Sequence, residues 1–135
     1  MMRQALAAAL CAFALPVQAA PVTVFETPGG TRYMLDDASA IELRLREGTV
    51  VMVRVMTQSR PDPRLIAGQV AADGLMQFQC DRNACRQWNV FSVDKDGSRR
   101  QVVAPNAARA FNPTREGSPE RKLVQAACGL KRSLK

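Results

Sequence analysis

The chain contains no histidine, and few of its side chains could take part in chemistry. Without histidine it lacks the usual general base, the Ser-His-Asp and Cys-His nucleophile systems and the commonest zinc ligand. The carboxylate pairs Asp36-Asp37 and Asp94 with Asp96 lie in stretches typical of turns, where Asp serves local hydrogen bonding. No acid follows the second pair at the spacing of a twelve-residue calcium loop. The sequence therefore predicts a protein that is not an enzyme and that binds no metal or cofactor.

The cysteines are the remaining reactive groups. Cys80, Cys85 and Cys128 follow the N-terminal region, and an oxidising compartment would allow two of them to form a disulfide. We favour Cys80 with Cys128, because the first falls at an inward-facing strand position and the second on the buried stripe of a predicted helix. The alternative, Cys80 with Cys85, would close a hairpin and constrain the unfolded chain less. We expect the third thiol, Cys85, to be buried, with an intermolecular disulfide as the alternative.

The first residues predict export. Arg3 precedes an apolar run over residues 5–15, and small residues up to Ala19 follow, as in a cleaved signal peptide. The run of 11 residues is shorter than the roughly 20 that a membrane-spanning helix needs, and we expect no transmembrane segment. Cys11 follows Leu10 and not the small residue of a lipoprotein signal. We therefore expect a soluble product in the periplasm, at the cell surface or outside the cell.

Positive charge is concentrated toward the C-terminus. Removal of residues 1–19 leaves 116 residues, about one domain, with 18 Lys and Arg against 12 Asp and Glu. Residues 98–135 carry nine basic and two acidic side chains, whereas residues 20–97 carry nine and ten. This asymmetry favours attraction to polyanions, although an ordinary solvated surface is the alternative. We expect no specific nucleic-acid partner. The candidate polyanion-binding residues are Arg99, Arg100, Arg121, Lys122, Lys131 and Arg132.

Two aromatic residues lie close to basic ones in the sequence. Trp88 and Phe91 lie between Arg86 and the pair Arg99-Arg100, so adjacent strands could present a face that stacks bases or sugars. Trp88 is the only tryptophan of the chain. We favour a core or half-buried position for Trp88 over a ligand platform.

Alternating apolar and polar residues predict an antiparallel sheet. Residues 41–46 alternate strictly, and after the turn at Glu47-Gly48 the β-branched run over residues 49–57 is expected to be the central strand. The polar residues 36–39 predict a turn before this hairpin. Further strands are predicted over residues 31–35, 74–80, 85–93 and 98–103, with a loop over residues 58–68 and an irregular segment over residues 104–118.

A helix is predicted to follow the sheet. Ser118 is its expected N-cap, Pro119 its first residue and Gly129 the residue that ends it after Cys128. Leu123, Val124, Ala127 and Cys128 would face the sheet, with Arg121, Lys122 and Gln125 outside. The predicted fold class is α+β, an antiparallel meander of about five strands covered by one C-terminal helix. The predicted organisation is a signal peptide (1–19), an extended segment (20–30), the domain (31–129) and a basic tail (130–135).

The domain resembles the surface-adhesin protein E family over residues 31–129. The resemblance lies in the opening Tyr33-Met34-Leu35-Asp36, the strand over residues 76–80, an Arg-rich strand with Trp88, and a helix ending in Ala127-Cys128. It implies a small antiparallel sheet with a helix, an envelope or surface location, a homodimer, and adhesion to host matrix or serum proteins. It also supports the Cys80–Cys128 pairing. Cys85 departs from the family, the signal has no lipidation cysteine, and the contact residues of the adhesins have no matching positions. The CNP1-like proteins are a second resemblance.

The sequence therefore predicts an exported, non-enzymatic binding module that presents a sheet and a cationic C-terminal surface to a protein or polyanionic partner. The alternative is a periplasmic structural or envelope-maintenance protein with no dedicated ligand.

Overall fold

The computed structural model describes residues 21–60, 69–105 and 109–130. The predicted signal peptide, most of the predicted loop over residues 58–68, and the tail residues Lys131 and Arg132 lie outside these ranges. The described elements are the strands β1 (Val22–Glu26), β2 (Arg32–Leu45), β3 (Gly48–Gln58), β4 (Gln69–Gln79), β5 (Ala84–Asp94), β6 (Arg99–Val103) and β7 (Asn112–Pro113), and the helix α1 (Pro119–Leu130).

The strands form one antiparallel meander in which neighbours in sequence are neighbours in the sheet. The order is β1-β2-β3-β4-β5-β6, and β7 pairs with the part of β5 that β6 leaves uncovered. The β2–β3 hairpin turns at Gly48, whose φ of 115° is a conformation that side chains with a Cβ rarely adopt. The predicted α+β class and the meander are confirmed.

The predicted turn over residues 36–39 is wrong, because β2 continues through it. The pairing of β2 with β3 shifts register between Asp36 and Ile41, so residues 37–40 form a bulge inside the strand. Ser39 stabilises the bulge, since its Oγ donates to the Asp36 carbonyl at 2.7 Å and accepts from the Arg54 amide at 2.8 Å. The Ser39 side chain bonds the local backbone as expected, but the segment forms a bulge within the strand and does not end it.

Two strands lie where the sequence predicted none. The extended segment over residues 20–30 contains β1, which pairs with β2 at one edge of the sheet. The segment predicted to be irregular contains β7, which pairs Asn112 with Cys85 and Pro113 with Ala84. The described part of the sheet is therefore wider than the predicted five strands.

The two faces of the sheet differ in composition. On the helix face, Val51, Val53 and Phe78 are 0% exposed and pack in one cluster with Leu123 and Val124 of α1. The alternate side chains of the same strands lie on the opposite face. On that face, Met52 of β3 pairs with Gln77 of β4, and Gln77 pairs with Arg86 of β5. Arg54 and Asp73 lie farther along the same strands. The helix face is thus the apolar core of the domain.

Helix α1 begins as predicted and ends later. The Arg121 amide donates to Ser118 Oγ at 3.1 Å, which makes Ser118 the N-cap. Gly129 lies inside the helix, so its predicted role as the terminating residue is wrong. Arg121 and Lys122, predicted to point outward, are half-buried, whereas Gln125 is exposed as predicted.

A disulfide joins the end of β4 to the helix. Cys80 and Cys128 are bonded with a Cα–Cα distance of 5.7 Å, which confirms the favoured pairing and makes Cys80 with Cys85 wrong. Cys85 is a free thiol and is 7% exposed, as predicted for the third cysteine.

Candidate binding groove

The outer edge of β5 is covered at its two ends by different strands. The pairing with β6 ends at Val90, and that with β7 begins at Cys85. Between them, Trp88 is the extra residue of a bulge, since Leu75 pairs with Asn89 and Met76 with Gln87. The bulge presses the Asn89 carbonyl against Gly74, where a β-carbon would collide with it. Glycine at this position lets β4 and β5 stay paired past the bulge.

Residues 109–115, which we call the strap, run along this edge. Thr114 donates to the Asn83 carbonyl through its amide at 2.9 Å and its hydroxyl at 2.6 Å. Arg121 of the helix donates to the hydroxyl and the carbonyl of Thr114, both at 2.7 Å. The half-buried Arg121 thereby connects the strap to α1.

Arg86 holds the other end of the strap from the opposite face of the sheet. Its guanidinium donates to the Arg109 carbonyl at 2.8 Å and to Gln77 Oε1 at 2.7 Å. It also forms an ion pair with Glu47 at 3.2 Å and lies 4.1 Å from the centre of the Phe111 ring. The Arg86 side chain is 13% exposed, and these partners offset the desolvation of its charge.

A cavity lies on each side of the strap. The larger, an open groove of about 700 Å³, lies on the helix-face side, with Met76, Cys85 and Gln87 at its base. Its walls include Arg109 and Arg115 of the strap, with Ser118 and Glu120 from the start of α1. The smaller, of about 440 Å³, lies on the opposite face beside Glu47, Gln79 and Phe111.

The groove is rich in guanidinium groups and has an unreactive thiol. Arg109 and Arg115 line it together with one carboxylate residue, Glu120. Arg86 also lines the groove, but its guanidinium is engaged by Glu47 and Gln77 on the opposite face. Burial, and secondarily the charge of Glu120, raises the pKa of Cys85 to about 11. The thiol is therefore protonated near neutral pH and is a poor nucleophile.

The structure does not bring the predicted polyanion-binding residues together. Arg99 and Arg100 lie on β6, at the edge of the sheet opposite β1. Arg99 forms an ion pair with Asp73 at 3.4 Å and lies over the Phe91 ring at 4.8 Å, whereas Arg100 is exposed.

The two helix residues of that set lie elsewhere and have structural contacts. Arg121 holds the strap, as described above. Lys122 places its Nζ 3.8 Å from the centre of the Phe25 ring on β1. Lys131 and Arg132 lie outside the described residues, so the set is distributed over two edges of the sheet.

The aromatic and basic residues that could have formed a stacking face are also divided. Trp88 is half-buried, as favoured, and the Arg86 guanidinium lies 5.7 Å from its ring centre. Phe91 contacts Arg99 instead. Phe111, which sequence analysis did not single out, lies nearer to the Arg86 guanidinium than Trp88 does, with its ring centre at 4.1 Å.

A charged network crosses the opposite face. Arg54 donates to both carboxylate oxygens of Asp73 at 2.8 and 2.7 Å, and Asp36 lies 3.9 Å from its guanidinium. The hydrogen bond from Arg54 lowers the pKa of Asp73, and the same bond raises the pKa of Arg54. Asp73 is thus held as a carboxylate with a structural partner.

Sequence reasoning missed Arg109 and Arg115 as groove residues. Both lie in the segment predicted to be irregular, and their local sequence resembles that of any basic loop. Among the described residues, no group of three or more Cys, Asp and Glu is arranged to hold a metal ion. The one described helix is too short and too polar to cross a membrane.

Comparison of the chain with protein-family models, curated proteins and solved structures finds no match. The resemblances to the protein E and CNP1-like families, and the homodimer that the first implies, therefore stay predictions.

Proposed function

We propose that this chain is an exported, non-enzymatic binding module for a polyanionic partner. The observation that carries the proposal is the groove beside β5, which is lined by the exposed residues Arg109 and Arg115 and by one carboxylate residue, Glu120. Arginine forms paired, charge-assisted hydrogen bonds to carboxylate, sulfate-like and phosphate groups. The excess of basic residues over the last third of the chain adds a longer-range attraction.

The chemistry of the described residues supports binding over catalysis. The chain has no histidine, the Cys85 thiol is buried with its pKa raised to about 11, and Asp73 is engaged by Arg54. A general base needs a pKa near the working pH, and a nucleophile needs an activated, accessible atom. None of these three features provides one.

A second candidate function is favoured by one observation. Arg54, Arg86, Arg99, Arg121 and Lys122 all make contacts within the domain, so much of the positive charge serves the fold. A periplasmic structural or envelope-maintenance protein with no dedicated ligand would use its basic residues in this way.

Salt-dependent binding separates the two functions. Protein purified from its host after export would be applied to immobilised heparin at salt concentrations from about 50 to 200 mM, where polyanion binding changes steeply. We expect retention at the lowest concentration and a progressive loss as salt increases. Absence of retention at low salt, or retention that does not change with salt, would contradict polyanion binding and leave the structural role.

A further inference from the structure

We infer that the groove between β5 and the strap binds an anionic sugar chain, and that Arg109 and Arg115 contact its sulfate or carboxylate groups. This inference rests on the proposed function and narrows it to one site and one class of partner.

The shape of the groove favours a chain over a flat surface. Its volume of about 700 Å³ lies within the range of sites that enclose small ligands, and it is open along one side. A short stretch of a polymer can enter such a recess and continue beyond it. A lipid bilayer presents its headgroups in a plane and would reach the rim more easily than the base.

Arg109 and Arg115 have fixed backbones and available side chains. The Arg109 carbonyl accepts from Arg86 at 2.8 Å, and the Arg115 carbonyl accepts from the amide of Ser118 at 3.1 Å and from its hydroxyl at 2.6 Å. Both residues are exposed, and neither forms an ion pair with a described residue. Anchored main chains hold the two guanidinium groups at the groove without occupying them, which lowers the entropy lost on binding.

The neutral residues of the groove are those that recognise sugars. Gln87 and Asn112 offer amide groups for sugar hydroxyls, and Met76 and Pro113 offer apolar surface for the ring. No aromatic residue is among the described residues that line the groove. Single-stranded nucleic acid is usually bound by aromatic stacking, so this composition argues against nucleic acid as the occupant.

Arg99 and Arg100 carry the same charge as Arg109 and Arg115 but are not among the residues that line the groove. Arg99 is engaged by Asp73 and Phe91, and its neighbour Arg100 lies exposed on the edge strand β6. If the partner were attracted by positive charge alone, the pair Arg99 and Arg100 and the pair Arg109 and Arg115 would contribute equally to its affinity. A stereochemically defined groove would depend on Arg109 and Arg115.

The test compares two double variants that lose the same charge, R109Q/R115Q and R99Q/R100Q. Affinity for a heparin oligosaccharide would be measured by titration calorimetry, and folding of each variant would be checked by near-ultraviolet circular dichroism. We expect R109Q/R115Q to weaken binding at least about tenfold, since two charge-assisted contacts are lost, and R99Q/R100Q to weaken it about twofold. R109K/R115K keeps the charge but loses the paired hydrogen bonds, so it should lie between wild type and R109Q/R115Q.

The alternative results are distinct. Equal losses in the two double variants would overturn the groove as the site and leave the proposed function in place. The wild-type protein could also bind vesicles of anionic lipid as tightly as the oligosaccharide, with R109Q/R115Q weakening both interactions equally. That result would overturn the sugar chain as the partner. Absence of wild-type binding to any of these probes at low salt would remove the proposed function together with this inference.

Discussion

The two faces of the sheet are stabilised by different kinds of contact. On the helix face, Val53 and Phe78 are fully buried against α1, and a disulfide fixes the helix to β4. On the opposite face, Arg54 and Asp73 form an ion pair in which the Arg54 side chain is 43% exposed. Burying an apolar side chain contributes about 1.5–3 kcal/mol, whereas exposed ion pairs rarely exceed about 1 kcal/mol. Most of the stability should therefore come from the helix face.

The largest expected effect is that of removing the disulfide. Cys80→Ala with Cys128→Ala opens a covalent loop with a sequence separation of 48, and the chain-entropy model assigns about 4 kcal/mol to such a loop. Urea unfolding followed by circular dichroism would measure the difference in the free energy of unfolding. A loss below about 1 kcal/mol would mean that packing alone fixes α1 on the sheet.

The same substitution on each face tests the comparison directly. Leu123→Ala removes a side chain that is 3% exposed in the core and should cost about 3 kcal/mol. Leu75→Ala is the matched control, because Leu75 is half-buried on the opposite face beside Arg54. We expect it to cost less than half as much, since part of its surface is already in water. Equal losses of unfolding free energy in the two variants would mean that apolar packing stabilises both faces to a similar extent.

The helix face could be predicted from the sequence because its signals are local or periodic. Ser118 and Pro119 mark the start of α1, and the 3.6-residue period identifies its buried side. The buried side of the helix contains Cys128, and the alternation of apolar and polar residues along β4 places Cys80 on the inward face. These two predictions were enough to select Cys128 as the partner of Cys80. The bulge over residues 37–40 was missed because a short polar side chain such as Ser39 makes the same local hydrogen bonds in a turn and in a bulge.

The candidate site could not be predicted because its contacts are long-range. Arg86 joins Glu47, Gln77 and Phe111, which come from three other parts of the chain. A single sequence gives no sign that these residues meet. Counting charges identified the basic third of the chain, but it could not separate Arg109, which borders the groove, from Arg99, which is paired with Asp73.

A smaller effect is expected at the ion pair of the opposite face. Because Arg54 lowers the pKa of Asp73 in the folded protein, the pair stabilises the fold at pH values above the unfolded carboxyl pKa of about 3.9. This contribution is lost as the pH falls through the folded pKa. Asp73→Asn should cost about 1 kcal/mol at neutral pH, because solvent screens the exposed Arg54, and less at about pH 2.

Urea unfolding at a series of pH values would measure this dependence. Asp36→Asn is the matched control, since Asp36 lies 3.9 Å from the Arg54 guanidinium without a hydrogen bond to it. This substitution should change the loss of stability at acid pH less than Asp73→Asn does. A stability profile for Asp73→Asn that remains parallel to that of wild type down to acid pH would contradict a structural role for the pair.

The smallest effect should be seen at Cys85, where the helix face meets the groove. With its pKa raised to about 11, roughly one thiol in a thousand is ionised at pH 8, so a thiol reagent should label the folded protein far more slowly than the urea-unfolded protein. Burial is the larger cause of this shift, and the charge of Glu120 is the smaller. Glu120→Gln should therefore accelerate labelling only slightly, as measured by mass spectrometry over time. If Glu120→Gln instead brought labelling to the rate of the unfolded chain, charge and not burial would protect the thiol, and the base of the groove would not belong with the buried core.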